Sequence, residues 1–303
     1  LFRSSRPRSH PSPPPTMARL PLLFLLALVP ACAGGASVEP TPHLSNEAHE
    51  APAAPVPLDA ALFERVAIVG ASMSAGFNLQ LEVGVDTRLA DFLAEALQVD
   101  HELVADGATE LLFLDTATMG EAMVAEALAA EPTLVLAVDF PFWFLYGPGR
   151  STADRLARLD AGLALLDRLT CPVVVGDIPH MQDAAGGMIP HASMPGADAF
   201  GPANGRIAAW AAADEDRVLV SLSDFNRTLR AGEAFVVAGR TWDPAVDGEL
   251  LQADHLHPNL VGTAVLLIQT LARLADERGE LLEGVVETDP EELADLVDDR
   301  MAG

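Results

Sequence analysis

The chain has 303 residues, half of them hydrophobic, which is enough for one large domain or two small ones around a sizeable core. All 18 basic residues are arginine, set against 44 acidic residues, for a formal charge of −26. That balance argues against nucleic acid as a partner, because phosphate contacts need clustered Lys and Arg. It favours solubility and says nothing about fold.

The first segment, residues 1–31, carries no acidic residue and reads as an upstream stretch followed by a signal peptide. "LFRSSRPRSHPSPPPT" is rich in Pro, Ser and Arg and precedes the first methionine, Met17, as translated upstream sequence would. "MARLPLLFLLALVPAC" then sets Arg19 before an apolar run from Leu20 to Val29, with small residues leading to Cys32. This is the pattern of a secretory signal, too short to span a membrane. "VPAC" is similar to a bacterial lipobox, which implies lipidation of Cys32 and a membrane anchor. By the same likeness Ala33 implies an outer-membrane lipoprotein, in the periplasm or at the surface. Cys171 is the one other cysteine, so a lipidated Cys32 leaves no disulfide, and Cys171 is expected to be a buried, unreactive thiol. Residues 32–60 are Pro/Ala-rich and read as a flexible tether.

The remainder alternates. Strand-like runs occur at "RVAIVG", "HELVAD", "TLVLAVDF", "PVVVGDI" and "RVLVSLS". Helical patterns lie between them, from "TRLADFLAEAL" to a final "PNLVGTAVLLIQTLARLADE" expected to open at Pro258. Strands apolar throughout and separated by helices predict a parallel sheet covered on both faces, a three-layer α/β/α domain over residues 61–280. Residues 281–303 are acidic and expected to be peripheral. The stretch 180–204 lacks periodicity and reads as a long functional loop.

Ligands of such sheets sit beyond the C-terminal ends of the strands, where "GASMSAG" (70–76) falls. A turn of this composition can cradle a phosphate, present a nucleophile or simply end a strand. There is no G-x-G-x-x-G, and a chain without lysine has no P-loop. A serine nucleophile needs a base and an orienting acid elsewhere. "LQADHLHPN" offers both, with Asp254 and His257 three residues apart near the start of the last helix. Alone, Asp-x-x-His is more often a helix cap. Together with a serine turn at the other end of the domain, it points to catalysis.

On these residues the chain resembles the GDSL/SGNH hydrolases. "GASMSAG" is similar to their first block, Gly-Asp-Ser-Leu-Ser-x-Gly, and "DHLHPNLVG" to their last, Asp-x-x-His-Pro, in the same order along the chain. The resemblance implies a flavodoxin-like sheet and hydrolysis of carboxylic esters through an acyl-enzyme, with no cofactor and no metal. It makes Ser72 the nucleophile, His257 the general base and Asp254 its partner. Ser72 would give one oxyanion N–H, and Gly107, in "VADGAT", the second. The third block, Gly-x-Asn-Asp, is degenerate: "LAVDFPFWFLYG" puts Phe142 where Asn would fall, so the oxyanion hole is incomplete or built differently. Phe142 and Trp143 are candidates for an apolar acyl pocket or lid. Asp139 either joins that pocket by tuning His257 or caps the next segment. Ser74 is expected to be a turn hydroxyl and His255 to face solvent. His180 and His191 are expected to touch substrate or nothing. The substrate is expected to be a small-molecule or carbohydrate ester. Alternatives are a carbohydrate deacetylase or acyltransferase on the same triad, or a catalytically silent binding lipoprotein.

Overall fold

Five apolar runs pair in parallel in the computed structural model, which describes residues 56–302. The expected signal and Cys32 lie outside the described residues. The strands are Val66–Ile68 (β1), Leu103–Asp106 (β2), Leu134–Ala137 (β3), Val173–Gly176 (β4) and Arg217–Val220 (β5). Their order across the sheet is β2-β1-β3-β4-β5, the flavodoxin-like arrangement. Successive residues point to opposite faces, and here both faces are apolar. Ile68, Leu134, Leu136 and Val174 enter one core, while Ala67, Val135, Ala137 and Val175 enter the other.

Helices cover both cores. Leu89–Ala96 (α1), Leu260–Arg278 (α6) and Pro290–Ala302 (α7) lie on the first face, through Phe92, Leu93, Val265, Leu271, Leu293 and Val297. Thr116–Ala129 (α2), Thr152–Leu166 (α3) and Ala197–Ala211 (α4) lie on the second, through Val124, Leu159, Leu163 and Ile207. Leu222–Ala231 (α5) follows β5. The result is the three-layer α/β/α sandwich expected from the alternation of runs.

Three local expectations are corrected, and a hairpin appears that was not expected. The helix α4 starts at Ala197, inside the stretch read as loop, and carries Pro202 in its interior. Gly201 and Pro202 hide it in sequence, but buried Ala199, Phe200 and Ala203 hold it to the second core. An antiparallel hairpin pairs Phe235–Val237 with Arg240–Trp242. Its two turn residues, Ala238 (φ 44) and Gly239 (φ 90), are both left-handed, as a type I′ turn requires, without the usual Asn-Gly signal. The acidic tail is not peripheral, because α7 buries Leu293, Ala294 and Val297 in the first core. The last long helix is capped by Asn259, whose side chain accepts the Gly262 N–H at 2.7 Å, so Pro258 stands just outside it.

The folded body also begins before residue 61. Val56 and Pro57 pair with Glu280 and Leu281, the Leu58 N–H donates to the Leu281 carbonyl at 2.7 Å, and Leu58 and Phe63 are buried. The Thr133 hydroxyl, just ahead of β3, donates to the Leu62 carbonyl at 2.9 Å. At the end of α6, Arg278 approaches Asp216, just ahead of β5, at 3.9 Å. This entry segment and the end of α6 therefore lie at the N-terminal edge of the sheet.

Candidate active site

At the opposite edge, the neighbours β1 and β3 continue into turns on either side of the topological switch point, where ligands of doubly wound sheets bind. After β1 the chain turns through residues 70–77, and a carboxylate from the end of β3 organises that turn. Asp139 Oδ1 accepts the Ala71 N–H at 2.9 Å and the Ser74 hydroxyl at 2.6 Å. Its Oδ2 accepts the Met73 N–H at 3.0 Å and the Ser74 N–H at 3.2 Å. Burial pushes the Asp139 carboxyl up, and these four bonds oppose that shift. The glycines follow from this packing. A Cβ on Gly70 would overlap the Asp139 carboxylate, and one on Gly76 (φ 74) would overlap the Thr87 carbonyl.

The bonding leaves one N–H of the turn over. Ala75, Gly76 and Phe77 donate to the carbonyls of Ala71, Met73 and Ser72. Between Ala71 and Phe77, the Ser72 N–H alone has no partner among the described residues.

Asp254 and His257 stand on the turn just ahead of α6, near the start of the last helix as expected. Asp254 Oδ1 accepts the backbone N–H groups of Leu256 (2.9 Å) and His257 (3.0 Å), which fixes the carboxylate beside the ring. Its Oδ2 takes the His257 Nδ1–H at 2.7 Å. Nε2 is then the acceptor, and Ser72 Oγ lies 2.8 Å from it. The ring is 3 % exposed and packs on Phe77 at 4.3 Å between centroids. Burial works against the charged form of Asp254, but the bonds from the His257 ring and the two N–H groups outweigh it and hold the carboxyl down at about 2. Three groups separated by up to 185 positions thus form one hydrogen-bonded row.

A cleft of about 910 Å³ opens from Ser72 and His257. Phe113, Leu114, Trp143 and Met188 supply much of its wall, and Phe113 and Leu114 are 50 % and 66 % exposed. Trp143 therefore lies where an acyl wall was expected. Phe142 reaches a second, small cavity of about 60 Å³, also bordered by Ser72 and His257, and stacks on Tyr146 at 4.1 Å. The stretch 180–204 contributes Met188, Pro190 and Ser193 to the cleft. Neither of its histidines lines the cleft: His180 packs on Phe200 in a tilted contact, and His191 is exposed. His255 is exposed and Ser74 is buried against Asp139. Cys171 is half-buried and not buried as expected, and desolvation pushes its thiol up to about 11, toward the unreactive thiol form.

Two expectations fail. The Gly107 N–H donates to the Ile68 carbonyl at 2.9 Å, so the sheet has taken the second oxyanion donor assigned to it. Asp139 borders the small cavity but neither tunes His257 nor caps the next segment, because its side-chain bonds go to the serine turn. A further acid escaped sequence reading: Asp177, at the end of β4, borders the small cavity and accepts the Ser223 N–H at 2.6 Å. Its place after "VVVG" was the only signal. Among the described residues no group of three or more His, Cys, Asp or Glu side chains is arranged to hold a metal.

No protein-family model and no curated protein matches the chain. Among solved structures it is similar to a lipase/acylhydrolase from Enterococcus faecalis, at 16% identity and a TM-score of 0.46, over 75% of this chain and 98% of that one. It is also similar to the psychrotrophic esterase EstA from Pseudoalteromonas sp., at 20% identity and a TM-score of 0.40, over 70% and 97% of the two chains. A third similarity is to TesA, at 22% identity and a TM-score of 0.40, over 71% and 99%.

Proposed function

We propose that this protein is a serine hydrolase of the GDSL/SGNH type that cleaves carboxylic esters. The observation that carries the reading is the row Ser72 Oγ–His257 Nε2 (2.8 Å) and His257 Nδ1–Asp254 Oδ2 (2.7 Å) at the mouth of an apolar cleft. Ser72 attacks the ester carbonyl while His257 takes its proton, and Asp254 stabilises the imidazolium that forms. His257 then protonates the leaving alcohol, and water attacks the acyl-enzyme by the same route in reverse. The free Ser72 N–H is the donor available for the oxyanion. With the Gly107 N–H taken and no Asn after β3, oxyanion stabilisation is thin, and activated aryl esters are the best substrates.

The same shortage favours a second reading, a catalytically silent relative that keeps the triad and binds its ligand in the cleft. Labelling by a fluorophosphonate probe decides between them. Labelling of the wild type, lost in Ser72→Ala, is the expected result; an unlabelled, folded wild type would reject the hydrolase. From "VPAC" we further propose a lipid on Cys32 and an outer-membrane location.

A further inference from the structure

In so acidic a chain, arginines find carboxylates easily. Arg65, Arg88, Arg168, Arg206, Arg217, Arg227, Arg230, Arg240, Arg273, Arg278 and Arg300 each come within 4.0 Å of one. Among the described residues the exceptions are Arg150, Arg155 and Arg158, and they sit together. Arg155 is buried and bonds only carbonyls, of Leu145 (2.6 Å), Ser193 (3.4 Å) and Met194 (3.4 Å). Arg158 donates to the carbonyls of Tyr146 (3.0 Å) and Trp143 (2.9 Å) and to the Thr116 hydroxyl (2.9 Å). Burial and the neighbouring charges of Arg150 and Arg155 push its guanidinium down to about 10. Arg150 is exposed and has no hydrogen-bond partner among the described residues. Cations gathered and partly buried without a counter-ion are costly unless an anion completes the site.

Arg150 and Arg158 line the cleft that begins at Ser72 and His257. The two carboxylates of that cleft, Glu110 and Asp115, reach no arginine, and Asp115 accepts the Thr118 N–H at 3.1 Å. Trp143, on the same wall, keeps a buried indole N–H with no partner among the described residues. Both terminal nitrogens of Arg158 are engaged by protein acceptors, so Arg150 alone offers a whole free fork. One planar fork matches one carboxylate in bidentate fashion.

Resting on the hydrolase reading for its chemistry, we propose that the cleft selects acidic esters. The acyl chain runs along Phe113, Leu114 and Trp143 and ends in a carboxylate held by Arg150 in the field of Arg158. The test compares p-nitrophenyl half-esters of four- to eight-carbon dicarboxylic acids with the neutral p-nitrophenyl esters of matched length. At least one half-ester should be preferred in kcat/KM by about tenfold or more, the scale of a charge-assisted hydrogen bond. Arg150→Glu should reverse that preference. A neutral preference at every length, or a ratio indifferent to Arg150→Glu, would overturn the proposal. Binding is read separately by calorimetry on Ser72→Ala, which cannot turn the esters over. Tighter binding of a half-ester than of its neutral partner, lost in Ser72→Ala/Arg150→Glu, is expected even if the wild type hydrolyses nothing. In that case the anion site would stand and the hydrolase would fall. Equal binding of the two esters would sink the anion site whatever the turnover.

Discussion

Asp139 and Asp254 are both carboxylates near one serine, yet their surroundings drive them in opposite directions. Asp254 is held down at about 2, against about 3.9 for an unperturbed aspartate, so its ionised form is favoured by folding. A depressed carboxyl stabilises the fold fully above the unfolded value and loses that contribution as the pH falls through the folded one. Between pH 5 and pH 2 the melting temperature of the wild type should therefore drop further than that of Asp254→Asn; parallel curves would refute the assignment. In the same variant kcat should fall about 10⁴-fold, the scale for loss of tautomer control in a Ser-His-Asp triad. Asp139 is a positioning residue, with both oxygens occupied by the serine turn. Asp139→Asn would turn an amide N–H₂ toward backbone donors, at about 1–3 kcal/mol for each group left unsatisfied. Activity should collapse with KM little changed, and Asp139→Glu should not restore it; a fully active Asp139→Asn would remove this role. The residues Ser72, Asp254 and His257 were legible because each sits in a short motif at a telling place. Asp139 was singled out but its role was not legible, since its bonds cross 65 or more positions and no local pattern encodes them. Gly107 misled for the converse reason: its motif was visible, but its N–H had already been taken by Ile68.

At the level of elements, strands were legible from apolar runs and most helices from their periodicity. Those signals fail where tertiary contacts override local chemistry. In α4, buried Phe200 and Ala203 outweigh Gly201 and Pro202, and Asn204 ties the helix to Ile178 through both its amide atoms, at 2.9 and 3.0 Å. The start of α6 matters most for the site, because Asn259 follows His257 by two residues. Its side chain caps Gly262 at 2.7 Å and donates to the Glu249 carbonyl at 2.7 Å, fastening the histidine turn to the preceding loop. Asn259→Ala should cost about 1 kcal/mol in a urea titration, the usual cost of a lost cap. It should also lower kcat by loosening His257. An unchanged denaturation midpoint would show that the cap holds nothing.

Over the whole molecule, the acidic tail was the least legible part. Its charge suggested a solvated appendage, yet Leu293 and Val297 complete the core between α1 and α6. Full burial of such side chains contributes about 1.5–3 kcal/mol each, a large share of the roughly 5–15 kcal/mol that holds a domain folded. A chain stopped after Thr288 should accordingly melt well below the full-length protein or fail to accumulate in soluble form. Equal melting temperatures would restore the tail to the periphery. The parallel sheet also gives the body a floor and a roof. The chain enters on the floor, where Val56 and Leu58 are strapped to Glu280 and Leu281, while Ser72 and its cleft open on the roof. Whatever is joined to the chain ahead of Val56 is therefore met at the edge of the sheet away from Ser72, and changes there leave the cleft untouched.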